Sequence, residues 1–350
     1  MKIKHWKEIC VEKDLSLKNA MNLMNELGSK VLFIVDSDFR LLGSLSDGDI
    51  RRGLIKNFDI EVKAYELSKK NPIFVTEENK SNIDNLDNYS SINAVPILKE
   101  EKIVNIYFYE NNNLELNNSV LVQAGGFGKR LSPLTDEIPK PMLKVGNMPI
   151  LEIIIRQFRK NGFNNFFIST HYRPEKIKNF FGNGEKHNVK INYIDESYPL
   201  GTAGALSLIP LEQIKFPLIV INGDVLTKLD FRDLINFHNK RKSKITACVR
   251  KFDYQIPFGV FSGDEDKIIG ISEKPISSFL INAGIYVIEK SVVENLSFNK
   301  KIDFPSLISN QLENNENSVS MYLIHEYWKD IGKKEDFEKA QQDILSFNFD

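Results

Sequence analysis

The chain has 350 residues, of which 42% are hydrophobic, 27% charged and 11% aromatic. At roughly 150 residues per domain that length predicts two domains, and the composition excludes a disordered chain, a collagen-like repeat and a disulfide scaffold. The 46 Lys and Arg nearly balance 47 Asp and Glu, so no global basic field would draw the protein to nucleic acid.

The N-terminus carries charges throughout and has no apolar run of signal-peptide length. The longest apolar runs, at 31–35 and 217–221, fall far below the ~20 residues that cross a bilayer. Cys10 and Cys248 lie far apart and form no metal-type cluster. The expectation is a soluble, cytoplasmic protein with reduced, inert thiols and no membrane partner.

Leu17, Ala20, Met21, Met24 and Leu27 share one face of a predicted helix over 17–27. A buried strand at 31–35, a turn, a strand at 41–46 and a helix at 47–55 follow. The same order returns more loosely as strand 73–76, helix 81–89, strand 94–98, turn 99–102 and strand 103–108. The stretch 109–119, with five asparagines, reads as a surface linker. The expected domains are therefore 1–115, of α+β type, and 116–350. In the second, strands at 120–123, 165–170, 190–194 and 218–221 alternate with helices at 151–160, 174–181, 204–209 and 231–240. That alternation predicts an α/β, Rossmann-like domain: a mostly parallel mixed sheet with helices on both faces. A helix at 334–346 follows.

In the first domain, Gly43-Ser44-Leu45-Ser46-Asp47-Gly48-Asp49-Ile50 sits at a strand-to-helix turn. Read without any resemblance, it is a helix N-cap with an acidic first turn. Helix, strand, turn, strand, helix, twice over, resembles a tandem pair of CBS motifs, in which G-x-x-T/S-x-x-D-I binds a nucleotide. The resemblance implies that Ser46 and Asp49 hold ribose hydroxyls. In the second copy Asn105, Phe108 and Asn111 fall at the glycine, serine and aspartate positions, so that copy has lost both groups. CBS pairs commonly associate face to face, which implies a homodimer.

The second domain opens with a strand entering Ala124-Gly125-Gly126-Phe127-Gly128-Lys129-Arg130-Leu131-Ser132-Pro133-Leu134-Thr135. Three glycines after a strand let backbone N–H groups approach a phosphate. No Gly-Lys-Ser/Thr follows as a Walker A loop requires, and Pro133 stands where a dinucleotide-binding helix should begin. Together with Pro139-Lys140-Pro141-Met142, the loop resembles the signature of sugar-1-phosphate nucleotidyltransferases, with Lys129 where the family usually has Thr or Ser. The matching segments continue in order: Leu200–Leu206 (LGTAGAL), Asn222-Gly223-Asp224, Pro257-Phe258-Gly259-Val260, Glu273-Lys274-Pro275, Asn282-Ala283-Gly284 and Tyr327-Trp328-Lys329-Asp330.

That resemblance implies transfer of a nucleotidyl group from an NTP to a sugar 1-phosphate. Arg130 and Lys140 would hold the phosphates, and Asp224 and Asp330 would share Mg²⁺. Gln123, Ala124, Gly125, Gly126, Gly128, Lys129, Gly201, Thr202 and Ala203 would line the nucleotide. Gly259, Glu273, Lys274 and Asn282 would line the sugar and its phosphate. No general base is required, and His171 and His325 read as structural. A tandem CBS module ahead of such a domain resembles a bacterial subgroup that includes the glucosamine-1-phosphate guanylyltransferase of legionaminic acid biosynthesis. The subgroup implies GTP and glucosamine 1-phosphate. Mannose, heptose or glucose 1-phosphate stay open, as do UTP, CTP and dTTP. A reading of another class, a CBS nucleotide sensor with an inactive transferase scaffold, is opposed by the retained Arg130, Lys140, Asp224, Lys274 and Asp330.

Overall fold

The N-terminal third builds one small three-stranded sheet twice. The computed structural model describes residues 5–56, 59–79, 94–108 and 116–346, divided between two units, Met1–Asn112 and Asn113–Asp350. In the first unit β1 (Cys10–Glu12), α1 (Leu17–Leu27), β2 (Val31–Val35), β3 (Leu41–Ser46), α2 (Asp47–Ile55) and α3 (Ala64–Leu67) are followed by β4 (Val75–Thr76), β5 (Ala94–Lys99) and β6 (Lys102–Phe108). These strands make two sheets, β1-β2-β3 and β4-β5-β6. In each, the first pair is parallel and the second antiparallel, and each antiparallel pair slips register once, at Ile34/Val35 and at Ile97/Leu98. Ser16 caps α1 by accepting from the Asn19 N–H, and Gly28, at φ 64°, closes it. Leu17, Ala20 and Met24 are its buried stripe.

Three expectations for this unit need comment. The strand at 73–76 is confined to Val75–Thr76. The predicted helix at 81–89, Asn111 and most of the asparagine-rich segment lie outside the described residues. Its last four residues, 116–119, are not linker but the start of a strand. There Ser119 is fully buried, and its Oγ accepts from Asn165 Nδ2 (2.8 Å) and from the Lys215 N–H (2.9 Å), so a polar residue is satisfied inside the sheet.

The second unit begins with β7 (Leu116–Gln123), β8 (Lys144–Val145), β9 (Met148–Pro149), α4 (Ile150–Lys160), β10 (Phe163–Thr170), α5 (Pro174–Phe181), β11 (Lys190–Asp195), α6 (Gly201–Gly204) and β12 (Leu218–Asn222). It continues through β13 (Val225–Thr227), α7 (Phe231–Arg241), β14 (Ile245–Gln255), β15 (Gly259–Asp264), β16 (Lys267–Glu273) and β17 (Ile276–Ile288). The last elements are α8 (Lys290–Glu294), α9 (Phe304–Asn314), β18 (Val319–Ile324), β19 (Trp328–Asp330) and α10 (Lys334–Ser346).

Seven strands form the central sheet in the order β11-β10-β7-β12-β17-β14-β18. β17 runs antiparallel to both its neighbours, and the other pairings are parallel. Both faces are covered, as a parallel sheet requires. Val120, Val122, Ile219 and Ile221 face one core with α4, α5, α7 and α10, where Phe158 stacks on Phe231 at 3.7 Å between centroids. Leu121, Leu218 and Val220 face the other with α6, α8 and α9, where Tyr286 stacks on Phe304 at 3.5 Å. Each fully buried side chain of this size contributes about 1.5–3 kcal/mol.

One helix differs from its prediction. Instead of 204–209, an α-turn runs over Gly201–Gly204 and a 3-10 turn over Ala205–Leu208. A methyl group on Gly204 would lie 2.9 Å from the Lys300 carbonyl, so the turn is pressed onto neighbouring backbone. Pro210 then holds Ile209 extended. Among the described residues no helix is long and apolar enough to cross a membrane.

Candidate active site

β12 lies in the middle of the sheet, and the chain leaves its C-terminal end through Asn222-Gly223-Asp224. The Gly223 N–H donates to the Gln123 carbonyl at 2.8 Å, and a methyl group there would come within 2.5 Å of that oxygen. Only glycine fits. β13 then pairs with β19, setting Val225 opposite Asp330, while the Ile331 N–H donates to the Asp224 carbonyl at 3.0 Å. Two aspartates distant in sequence thereby become neighbours at the C-terminal edge of a mostly parallel sheet, where ligands of open α/β folds gather.

Cations flank them. Lys140, nearly buried, donates through Nζ to Asp224 Oδ2. Arg130 lies beside Asp330, close enough that a methyl on Gly332 would be 3.4 Å from Asp330 Oδ1 and 3.7 Å from an Arg130 guanidinium nitrogen. Burial and the charge of Asp224 push the Asp330 carboxyl above its ordinary value, while Lys140 and Arg130 pull it back. Asp224 Oδ1 and Asp330 Oδ1 are both buried without a hydrogen-bond partner, as is Asn222 Oδ1. Orphaned carboxylate oxygens are costly unless something else engages them. Orphaned oxygens on two electrostatically coupled carboxylates fit a hard, oxygen-seeking divalent cation.

The glycine loop is built to stay open. Ala124 is buried and its N–H donates to the Ser169 carbonyl at 2.9 Å, which anchors the loop to β10. Gly125 passes Glu196 Oε1 and His171, whereas a methyl group on Gly126 would meet nothing within 4 Å. Gly128 has φ 66°, and its missing side chain leaves space filled by Thr135 and Lys140. Lys129 and Arg130 are exposed, and Lys129 Nζ stands 5.4 Å from the Phe127 ring centre. Across the sheet edge Gln123 Nε2 donates to the Thr202 carbonyl. Asp303 holds that segment, accepting from the Thr202 N–H at 2.8 Å, and Ala203 donates to the Ile302 carbonyl. Gly201 has φ 79°, and a side chain there would also strike the Ile302 carbonyl.

The remaining sites lie on or beside an arm. Gly259 pairs with Glu273 across the β15–β16 hairpin, and exposed Lys274 adopts φ 46°. Among the described residues no hydrogen bond or ion pair joins Gly259, Glu273 or Lys274 to Arg130, Lys140, Asp224 or Asp330. Asn282 donates to the Tyr286 hydroxyl at 2.5 Å and accepts from the Gly284 N–H at 3.0 Å.

Residues absent from the sequence reading also shape this edge. Tyr172 OH donates to the Asp136 carbonyl at 2.6 Å and Arg173 donates to the same oxygen at 3.0 Å, tying the stretch behind the glycine loop to the end of β10. Asp303 acts on Thr202 across 101 positions, so no local pattern marks it. In the first unit, Ser46 and Asp49 form a capping box for α2, and Asp49 also accepts from Arg52 at 2.5 Å.

The family model for nucleotidyl transferases matches residues 119–346, covering the sheet, the glycine loop and both aspartates. The chain belongs to the nucleotidyl transferase family. A CBS domain matches residues 3–56. A mannose-1-phosphate guanylyltransferase of Mycobacterium tuberculosis is 30% identical over 64% of this chain, which spans only 64% of that relative's length. A D-glycero-alpha-D-manno-heptose 1-phosphate guanylyltransferase of Aneurinibacillus thermoaerophilus is 31% identical over 65% of this chain and 98% of its own. Among solved structures, HddC from Yersinia pseudotuberculosis complexed with GMP-PN superposes with TM-score 0.50 and 26% identity over 65% of this chain and 99% of that one. As a nucleotidyl transferase, the chain carries its family match wholly within the second unit.

Proposed function

We propose that this nucleotidyl transferase is a sugar-1-phosphate guanylyltransferase that converts GTP and glucosamine 1-phosphate to GDP-glucosamine and pyrophosphate. The observation that carries the chemistry is the orphaned pair Asp224 Oδ1 and Asp330 Oδ1, set between Lys140 and Arg130 beside an open glycine loop. A phosphate oxygen of the sugar phosphate attacks the α-phosphorus of GTP, and the bond to the β-phosphate oxygen breaks as pyrophosphate leaves. The attacking oxygen is already anionic, so no base is needed. The barrier is charge repulsion and alignment.

On this reading Arg130 grips the β- and γ-phosphates with its planar fork, and Lys140 neutralises the α-phosphate and its attacker. Gly125, Gly126 and Gly128 offer backbone room, while Gln123 and the 201–203 turn line the nucleoside. Asp224 and Asp330 would hold Mg²⁺, which when bound supplies charge neutralisation between phosphates. Glu273 accepts from the sugar and pairs with its C2 ammonium, and Lys274 faces the sugar phosphate. Ser46 and Asp49 would leave the helix cap to hold a regulatory nucleotide.

Guanine is supported by the guanylyltransferase names of the relatives and by the HddC complex. Glucosamine is supported by the anionic Glu273 and by the CBS domain preceding the transferase unit, as in the subgroup the sequence resembles. Mannose or heptose 1-phosphate is the second reading, favoured by the substrates that those relatives' names give. A pyrophosphate-release panel crossing four NTPs with the glucosamine, mannose, heptose and glucose 1-phosphates tests both. Release with GTP and glucosamine 1-phosphate is expected. Release only with UTP or dTTP would overturn the guanylyl assignment, and release with GTP but only mannose or heptose 1-phosphate would select the second reading.

A further inference from the structure

α6 is a single helical turn, too short to hold its shape in water unaided. Its shape comes from the stretch that leads into α9. The Ile302 N–H donates to the Leu200 carbonyl and the Ala203 N–H to the Ile302 carbonyl, both at 2.9 Å. Thr202 is engaged at every polar atom. Its N–H donates to Asp303 Oδ1 at 2.8 Å, its hydroxyl lies 3.3 Å from the same oxygen, and its carbonyl accepts from Gln123 Nε2. Its Oγ1 also accepts from the Phe304 N–H at 3.0 Å. That last contact is half of an exchange. Asp303 stands at the N-cap of α9, where a carboxylate ordinarily accepts from the N2 or N3 N–H of its own helix. Here it makes no such bond. It accepts from Thr202 instead, and the Thr202 hydroxyl serves the first N–H of α9 in return.

We propose that Asp303 is a positioning residue for the nucleotide, holding the 200–204 turn in its receiving shape without touching the ligand. This rests on the proposed function, in which Gly201, Thr202 and Ala203 line the nucleoside. α6 has glycine at both ends, and glycine has more backbone freedom to lose than any other residue. Ordering such a segment only when the ligand arrives weakens binding, so a tether that orders it beforehand strengthens binding. The carboxylate also lies directly against the turn, since a methyl group on Gly201 would fall 2.6 Å from Asp303 Oδ1. Asp303 and Thr202 are both exposed, so their bond adds little to global stability and its effect is local.

Hydrogen exchange over residues 199–207 of the full chain, read by mass spectrometry, measures the tether. Steady-state kinetics with the nucleotide that wild type turns over measures its use. Asp303→Ala is expected to speed exchange in that segment and to raise the KM for the nucleotide about fivefold, the size of one lost hydrogen bond. The kcat and the KM for the sugar phosphate should stay at wild-type values, and circular dichroism checks folding. Asp303→Asn keeps an oxygen that accepts from Thr202, so it should restore both slow exchange and the low nucleotide KM. Unchanged exchange in Asp303→Ala overturns the tether, and faster exchange with an unmoved nucleotide KM overturns its role. An Asp303→Asn variant as impaired as Asp303→Ala would assign the effect to charge and overturn the proposal as well. A wild type that turns over no nucleotide would sink the proposed function and the positioning role with it, while the exchange measurement still reads the tether by itself.

Discussion

In the proposed reaction the chemistry turns on Lys140 and Asp224, which are hydrogen-bonded to each other. Asp224→Asn removes the carboxylate charge while keeping shape, and Lys140→Ala removes the only cation hydrogen-bonded to it among the described residues. Each substitution should lower turnover by about 10²–10³, the usual consequence of deleting one preorganised electrostatic contact. Circular dichroism and melting should stay near wild type, and pyrophosphate release reads the loss. Gly128→Ala acts differently. At φ 66°, with Thr135 Cγ2 only 2.9 Å from the added methyl, it should cost about 1–2 kcal/mol in left-handed strain alone, plus the contact, measured by chemical denaturation. These positions stood out in the sequence because they form a local pattern: glycines at fixed offsets and a lysine between prolines. Asp303 and Tyr172 did not, since each acts on backbone brought near only by the fold.

At the level of elements, α7 shows how a buried titratable group is tolerated. His238 faces β14, its Nδ1 bonded to Thr246 Oγ1 at 2.8 Å and its Nε2 3.2 Å from Glu289. Burial lowers its pKa from 6.5, against the opposing pull of Glu289. The unfolded chain then binds the proton more readily than the native one, so stability should fall as pH drops below 6.5 toward the lowered native value. His238→Asn should flatten that part of the pH dependence, even if it costs stability at neutral pH, and denaturation midpoints at both ends of the range measure it. The regular elements were readable from period and order: α1 falls where 3.6-residue spacing places it, and α5 and α10 fall on their predicted ranges. What period could not show was the β14–β17 arm. Its exposed isoleucines and phenylalanines have the composition of a core strand, and only the sheet order reveals that, among the described residues, no further strand pairs beside them.

Over the whole molecule, a formal charge of −1 conceals a concentrated arrangement. Arg130 and Lys140 stand against Asp224 and Asp330, so the four formal charges at the catalytic edge cancel. The ammonium of Lys140 is engaged by Asp224 in the resting protein. In the proposed reaction a triphosphate arriving alone would compete with a carboxylate for that lysine, whereas one arriving with a divalent cation would offer Asp224 another partner and release the lysine. On the proposed function the Lys140–Asp224 pair would act as an interlock between nucleotide and cation, and thermodynamic reciprocity would then require both affinities to rise by the same factor. Calorimetry of GTP with and without Mg²⁺ should show markedly tighter binding with the cation. In Asp224→Asn, where no carboxylate detains the lysine, the gap between the two measurements should narrow.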